Sequence, residues 1–242
     1  ITLDARDRAL GVPSGVAVSD VAVDGAPLAP YAGAFTVGGD GEHDVAARSV
    51  DNAGNVEPLR HLTVRIDTTP PVSTSDVQGA LTPSGWYRGF AVAHVTATDA
   101  TSGVDHVETR LDGGPWSDTA TLLVARGGAH VLEYRSVDKA GNVETPRARV
   151  IQVDRDLPTV ALPPLTAGAG DALVVANASD ASSGVATVAF YLDGSSTPAQ
   201  VDQYGSDGWT FDVTTPGSHV VEACATDRVG FVACGDGLAI VG

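Results

Sequence analysis

Three copies of one pattern recur in this chain at near-constant spacing. Ser-Gly-Val occurs at Ser14-Gly15-Val16, Ser102-Gly103-Val104 and Ser183-Gly184-Val185. Eight residues after each Val stands an Asp-Gly pair: Asp24-Gly25, Asp112-Gly113 and Asp193-Gly194. A Gly-x-His follows, at Gly41 and His43, Gly128 and His130, Gly217 and His219. Eight residues after each His comes an Asp: Asp51, Asp138, Asp227. Sixteen residues beyond the first two lie Asp67 and Asp154. Successive Ser-Gly-Val motifs are 88 and then 81 residues apart, the size of a small β-sandwich. Fixed offsets mean that one structural unit is built three times.

Between these anchors the residues alternate. Val16 to Val23 leads into Asp24-Gly25, His130 to Val137 leads into Asp138, and Leu62 to Ile66 leads into Asp67. Alternation puts one face of a strand in a core and the other in water. Asp-Gly after such a run is a turn, because glycine tolerates positive φ. No segment has helical periodicity. Short strands separated by turn residues predict antiparallel sandwiches.

Aromatic residues are 5% of the chain against 43% hydrophobic overall, so the core is expected to be mostly Val, Ala, Leu and Ile. A formal net charge of −16 argues against nucleic acid, whose phosphates need clustered Lys and Arg. No stretch reaches the length of a membrane helix. The chain holds no Met, so Ile1 is expected not to be the encoded start, and the chain to be a mature or excised piece. Asp67-Thr68-Thr69-Pro70-Pro71 and Asp154-Arg155-Asp156-Leu157-Pro158 read as short, stiff linkers. The expected domains are therefore 1–66, 67–154 and 155–242.

Along the second copy run Asp67-Thr68-Thr69-Pro70-Pro71, Gly85-Trp86-Tyr87, Val95 through Val104, Asp112-Gly113-Gly114-Pro115-Trp116, Gly128-Ala129-His130, and Ser136-Val137-Asp138-Lys139-Ala140-Gly141-Asn142-Val143-Glu144. This series resembles the bacterial extracellular immunoglobulin-like repeats of surface proteins and of secreted-enzyme accessory modules. The first copy resembles them well. The third departs, with Val229-Gly230-Phe231 in place of Ala-Gly-Asn, and resembles a sister class. The resemblance implies an all-β fold of tandem immunoglobulin-like antiparallel β-sandwiches and an extracellular, secreted or cell-surface location. Function does not follow from such a fold.

Aligning the first copy with the second through Asp7 and Asp99 matches Leu3-Asp4-Ala5-Arg6 with Val95-Thr96-Ala97-Thr98. The first domain is then expected to lack its opening strand. Either that strand is encoded upstream, or another molecule supplies it head-to-tail and builds a fibre.

In an immunoglobulin-like sandwich the opening of the domain, the second-to-third strand loop and the last hairpin loop share one end. That end is expected to gather Asp67, Asp99, Asp138 and Asn142 in the second domain, and Asp154, Asp156, Asp180 and Asp227 in the third. Two readings of these groups stand side by side. Clustered carboxylate and amide oxygens suit Ca²⁺, which takes six to eight oxygen ligands. Asp and Asn also cap turns by accepting from nearby backbone N–H groups, with no metal.

His43, His130 and His219 recur in every copy, as a structural group does and a catalytic one does not. No nucleophile elbow, His-Glu-x-x-His or phosphate-cradling loop occurs. The expectation is no enzyme and no required cofactor. Trp86, Trp116 and Trp209 stand at non-equivalent positions, so packing is expected rather than a sugar platform. Asn177-Ala178-Ser179 is a weak glycosylation sequon. Cys224 and Cys234 flank the last turn of the third copy and are expected to form a disulfide. The functional expectation is a structural spacer of a secreted or surface protein, its partners neighbouring copies or adjacent domains. The alternatives are a module binding a cell-surface or polysaccharide ligand, or accessory repeats of an enzyme whose catalytic domain lies outside this chain.

Overall fold

The computed structural model describes residues 1–7, 13–164, 172–203, 209–214 and 217–241. They fall into two compact units. One holds 1–73, 97–106 and 136–145; the other holds 74–96, 107–135 and 146–242. All regular structure among the described residues is β-strand.

The first repeat is a single sheet. Its strands are β1 (Val16–Val23), β2 (Ala29–Pro30), β3 (Gly41–Asp51) and β4 (Arg60–Ile66), in the order β2-β1-β3-β4. Residues 1–7 form no ladder. Ile1 and Phe35 exchange backbone hydrogen bonds, and the Leu3 N–H donates to the Tyr31 hydroxyl at 3.2 Å. Its buried hydrophobics among the described residues are only Ala22, Val45 and Ala46. Among the described residues no second sheet covers this one.

The second repeat carries β5 (Val72–Leu81), β6 (Tyr87–Thr98), β7 (Val104–Leu111), β8 (Ser117–Asp118), β9 (Thr121–Val124), β10 (Gly128–Asp138) and β11 (Arg147–Asp154). The order is β5-β6-β11-β10-β7-β8, with β9 on β6. The β6–β11 link is a short parallel one, Val153 beside Tyr87 and Asp154 beside Arg88. Its core is Tyr87, Ala91, Ala93 and Val95 of β6 against Leu132 and Tyr134 of β10, Ile151 and Val153 of β11, and Val124.

The third repeat has β12 (Thr159–Ala161), β13 (Ala172–Ser179), β14 (Val185–Leu192), β15 (Gln200–Asp202), β16 (Trp209–Val213), β17 (Ser218–Asp227), β18 (Val232–Cys234) and β19 (Leu238–Val241). One sheet runs β12-β13-β16; the other runs β15-β14-β17-β18, with β19 also on β17. Phe190 stacks on Phe211 at 5.5 Å between ring centroids, and Trp209 is buried beside them.

One turn device explains two of the recurring motifs. Asp24, Asp112 and Asp193 have φ of 54°, 52° and 53°, and the Gly after each is also at positive φ. The N–H two residues past each Asp donates to the carbonyl just before it, at 3.0 Å in all three copies. This is the type I′ turn, whose twist matches that of the strands it joins. Each Asp then reaches the strand that carries the recurring His near its start. Oδ2 meets His43, His130 or His219 Nδ1 at 2.7–2.8 Å. Oδ1 accepts from the N–H of Asp44, Val131 or Val220. The His residues are therefore turn clamps, the structural role expected of them.

The two cysteines face each other across β17 and β18 and are bonded. The bridge closes a loop of sequence separation 10. Reducing it should cost about 2–3 kcal/mol by freeing the unfolded chain. The check is the urea midpoint of the intact chain with and without reductant; an unchanged midpoint contradicts the expectation.

Candidate functional site

The turn-capping aspartates converge at one end of each of the last two repeats. Carboxylate oxygens of Asp67, Asp99 and Asp138 all lie within 4.8 Å of one another, and so do those of Asp154, Asp180 and Asp227. The local folding of each loop places them. In the second repeat Asp138 Oδ1 accepts from the N–H groups of Ala140 and Asn142, at 2.9 and 2.8 Å. Asp99 Oδ1 accepts from Thr101 and Gly103, and Asp67 Oδ2 from Ser102. The third repeat repeats this atom for atom. Asp227 Oδ1 accepts from Val229 and Phe231, Asp180 Oδ1 from Ser182 and Gly184, and Asp154 Oδ2 from Ser183. Every one of these six carboxylates caps a turn.

The clusters differ in their remaining oxygens. In the second repeat the Asn142 amide donates to Asp138 Oδ2 at 2.8 Å and to the Asp67 carbonyl at 3.1 Å. In the third repeat Phe231 stands where Asn142 stands and has no amide to give. Asp227 Oδ2 is buried without a hydrogen-bond partner among the described residues, and Asp180 Oδ2 is in the same condition. The electrostatics follow. Burial raises Asp138, but the Asn142 side chain and the surrounding backbone N–H groups outweigh it and leave the carboxyl below the ordinary range. Burial raises Asp227 too, its two backbone donors do not compensate, and the nearby charges of Asp154 and Asp180 add to the rise. The Asn142 side chain, which Phe231 cannot replace, is one of the lowering contributions that Asp227 lacks, beside the raising effects of its burial and of Asp154 and Asp180.

The third cluster therefore has a donor set that suits a hard cation: three carboxylates, two of them with orphaned oxygens, and Asp154 and Asp227 almost wholly buried. A divalent ion such as Ca²⁺ would neutralise the mutual repulsion and take up the free lone pairs. The second cluster fits less well, because Asn142 already occupies the second oxygen of Asp138. Asp156 lies outside the converging group; its Oδ2 accepts from the Ser182 hydroxyl at 3.2 Å.

A buried carboxylate that the motif spacing did not single out lies beside the second cluster. Glu144 accepts from the N–H and hydroxyl of Ser73 at 3.0 and 2.5 Å, and from the N–H and hydroxyl of Ser136 at 3.2 and 2.9 Å. It ties the start of β5 to the end of β10. Its signal was the Val-Glu after the Gly-Asn of the first two copies, at Glu57 and Glu144.

Two of the three tryptophans have described surroundings. Trp209 is a core residue, and Arg110 and Arg135 both sit 4.5 Å from the Trp116 ring centroid. Those guanidinium groups are paired in turn with Glu133 and Glu108.

The family model of a bacterial Ig domain matches residues 165–223. The match lies within the third repeat. It falls on the copy whose motifs resemble a sister class of immunoglobulin-like repeat. No curated protein matches the chain. Among solved structures it is similar to the fibronectin(III)-like modules of CbhA from Clostridium thermocellum, at 20% identity over 70% of this chain and 93% of that chain, with a TM-score of 0.33. It is similar to a 1.5-MDa bacterial ice-binding adhesin at 17% identity, over 93% of this chain and 85% of that one, with a TM-score of 0.39. The D00-D0 domain of intimin matches at 13% identity, over 70% of this chain and 100% of that one, with a TM-score of 0.40. No helix among the described residues is long and apolar enough to cross a membrane.

The clamp of the first repeat is sensitive to pH. The hydrogen bond to Asp24, with that to the Gly39 carbonyl, holds His43 above its ordinary value. His43 in turn, with the Asp44 N–H, holds Asp24 below the usual carboxylate range. The stabilisation from a raised His is whole below about 6.5 and is lost as pH rises through the folded value. The stabilisation from a depressed Asp is whole above the ordinary carboxylate range and is lost as pH falls through its folded value. The difference in melting temperature between the wild type and His43→Ala should therefore be widest near pH 6 and narrow by pH 9. A difference that does not vary with pH would mean that the clamp is packing alone.

Proposed function

We propose that the chain is a structural spacer of a secreted or cell-surface protein. In this reading its third repeat is stiffened by a divalent cation at Asp154, Asp180 and Asp227. The observation that carries the reading is the use made of the recurring polar residues. The aspartate of each turn device, the histidine that meets it and the Asp-capped loops all hold backbone, copy after copy. Residues invested in loop geometry at fixed offsets serve repeated structural units. The bacterial Ig domain match supports an outer location, and the disulfide fits an oxidising compartment.

The rival is recognition of a surface or polysaccharide ligand. The test is a panel of polysaccharides and immobilised glycans probed with the intact chain. The spacer reading expects no saturable binding. One saturable ligand, competed by its free sugar, would move the chain to the adhesion class. A cation alone raising the melting temperature, with no glycan bound, is the outcome the proposal expects.

A further inference from the structure

Each copy carries its Asp-Gly pair in an exposed turn, and Asp-Gly is a sequence prone to spontaneous backbone rearrangement. The Gly nitrogen attacks the side-chain carbon Cγ of the Asp, the carboxyl loses one oxygen as water, and a succinimide ring forms. Water then reopens the ring at either carbonyl. Opening at the α-carbonyl leaves the chain running through the side-chain carboxyl, as isoaspartate, with no net change in composition. Glycine favours the attack because it has no Cβ to obstruct it and turns freely in φ and ψ.

The turns themselves offer this reaction little steric resistance. The side chains of Asp24, Asp112 and Asp193 are about half exposed, so water has access. Beyond the chain neighbours, nothing among the described residues lies within 4 Å of where a Cβ on Gly25, Gly113 or Gly194 would stand.

The clamp supplies the restraint that the turn lacks. Both oxygens of each carboxylate are committed to the neighbouring strand. Oδ2 meets His43, His130 or His219 at 2.7–2.8 Å, and Oδ1 accepts from the N–H of Asp44, Val131 or Val220 at 2.8–3.0 Å. Cγ cannot swing toward the Gly nitrogen without breaking both bonds. The ring does not follow it, because Nε2 of His43 is tied to the Gly39 carbonyl at 2.9 Å, and that of His130 to the Arg126 carbonyl at 3.0 Å. The same contacts keep the carboxyl ionised. In all three copies the His hydrogen bond, with the backbone N–H, holds the Asp below the ordinary carboxylate range. The ionised form resists attack, since water leaves readily only from the protonated acid.

We propose that Asp24-Gly25, Asp112-Gly113 and Asp193-Gly194 are latent sites of isoaspartate formation, and that the His–Asp clamp keeps each of them closed. The recurring histidine then has a chemical role beside its mechanical one. Isoaspartate lengthens the turn by one backbone methylene and moves the free carboxylate, so a turn once rearranged is not clamped again. The inference is independent of the spacer reading and of the cation site.

The test holds the intact chain, folded and well below its melting temperature, in oxygen-labelled water. Digestion and mass spectrometry then read labelled oxygen and isoaspartate at each Asp-Gly pair. A free peptide of residues 22–28 gives the unprotected rate. All three pairs of the wild type should react far more slowly than the peptide. His43→Ala should raise the rate at Asp24 alone by roughly tenfold, the loss of one charged hydrogen bond from the barrier. His43→Asn, whose amide can donate from near the place of Nδ1, should stay close to wild type. His130→Ala and His219→Ala repeat the test in the other copies, should the first repeat not tolerate its variant. A wild-type pair that reacts as fast as the peptide overturns the proposal, and so does a His→Ala variant that leaves its own Asp unchanged. An equal rise at all three pairs overturns it as well, because protection would then come from folding as a whole and not from the clamp.

Discussion

Glu144→Ala should destabilise the chain by about 3–5 kcal/mol, because it strands buried donors. Ser73 and Ser136 have no exposed surface and Glu144 is 7% exposed, so water does not replace the lost acceptor. Two hydroxyls can rotate to other acceptors; the two backbone N–H groups cannot. Glu144→Gln keeps one acceptor oxygen and its amide can donate to the hydroxyls, but whichever way it turns its NH2 faces one of the two N–H groups, so its cost should be about 1–3 kcal/mol and below that of Ala. The ordering is the informative part. Chemical denaturation of both variants reads it directly, with hydrogen exchange at Ser73 and Ser136 as the local check. Equal effects of Ala and Gln would mean that the space filled by the side chain, and not its hydrogen bonds, ties β5 to β10. Glu57→Ala, at the equivalent place in the first repeat, should cost far less, since Glu57 is half-exposed and bonded only to Arg60 and its own backbone neighbours.

That contrast marks what a sequence of this kind displays and what it conceals. Turns were legible because they are local. Asp24-Gly25 needs only two residues at positive φ, and the spacing of the three copies exposed them. The disulfide was legible because Cys224 and Cys234 straddle one hairpin. The pairing of each recurring His with the Asp of the preceding turn was not legible. The partners lie 18–26 residues apart, and nothing in a motif says that two anchors touch. Glu144 was hidden for the same reason: its partner Ser73 is 71 residues away. The carboxylate clusters were legible as a set, since the fold expectation brings three loops to one end. Their inequality was not. It turns on Asn142 against Phe231, a difference visible in the sequence as a departure from family pattern. Its meaning appears only when the amide is seen satisfying Asp138 Oδ2. Turn capping and cation binding had stood as alternatives. The geometry makes them compatible, because one oxygen of Asp227 caps while the other points to no donor.

Asp227→Asn tests that division of labour within a single carboxylate. Its carbonyl oxygen can still accept from Val229 and Phe231, so the turn should keep its cap. Its new amide can donate toward Asp154 and Asp180, as Asn142 donates to Asp138, and one of three crowded charges is gone. In a chelator the variant should be more stable than wild type by on the order of 1–2 kcal/mol, the cost of leaving a buried polar group unsatisfied. With Ca²⁺ the order should reverse. Wild type should gain about 2.7 kcal/mol at a hundredfold excess over Kd by mass action, while the variant gains little. The measurement is a pair of thermal melts, with and without Ca²⁺, for each protein, with hydrogen exchange reporting residues 172–203. Asp138→Asn in the second repeat supplies the comparison. There Asn142 already satisfies the second oxygen, so the substitution should forfeit a hydrogen bond and bring no gain in chelator. If both substitutions behave alike, or if wild type and Asp227→Asn respond equally to Ca²⁺, the orphaned oxygens of the third repeat do not hold the ion. Asp227 would then be a turn cap whose buried second oxygen is tolerated at a cost in stability.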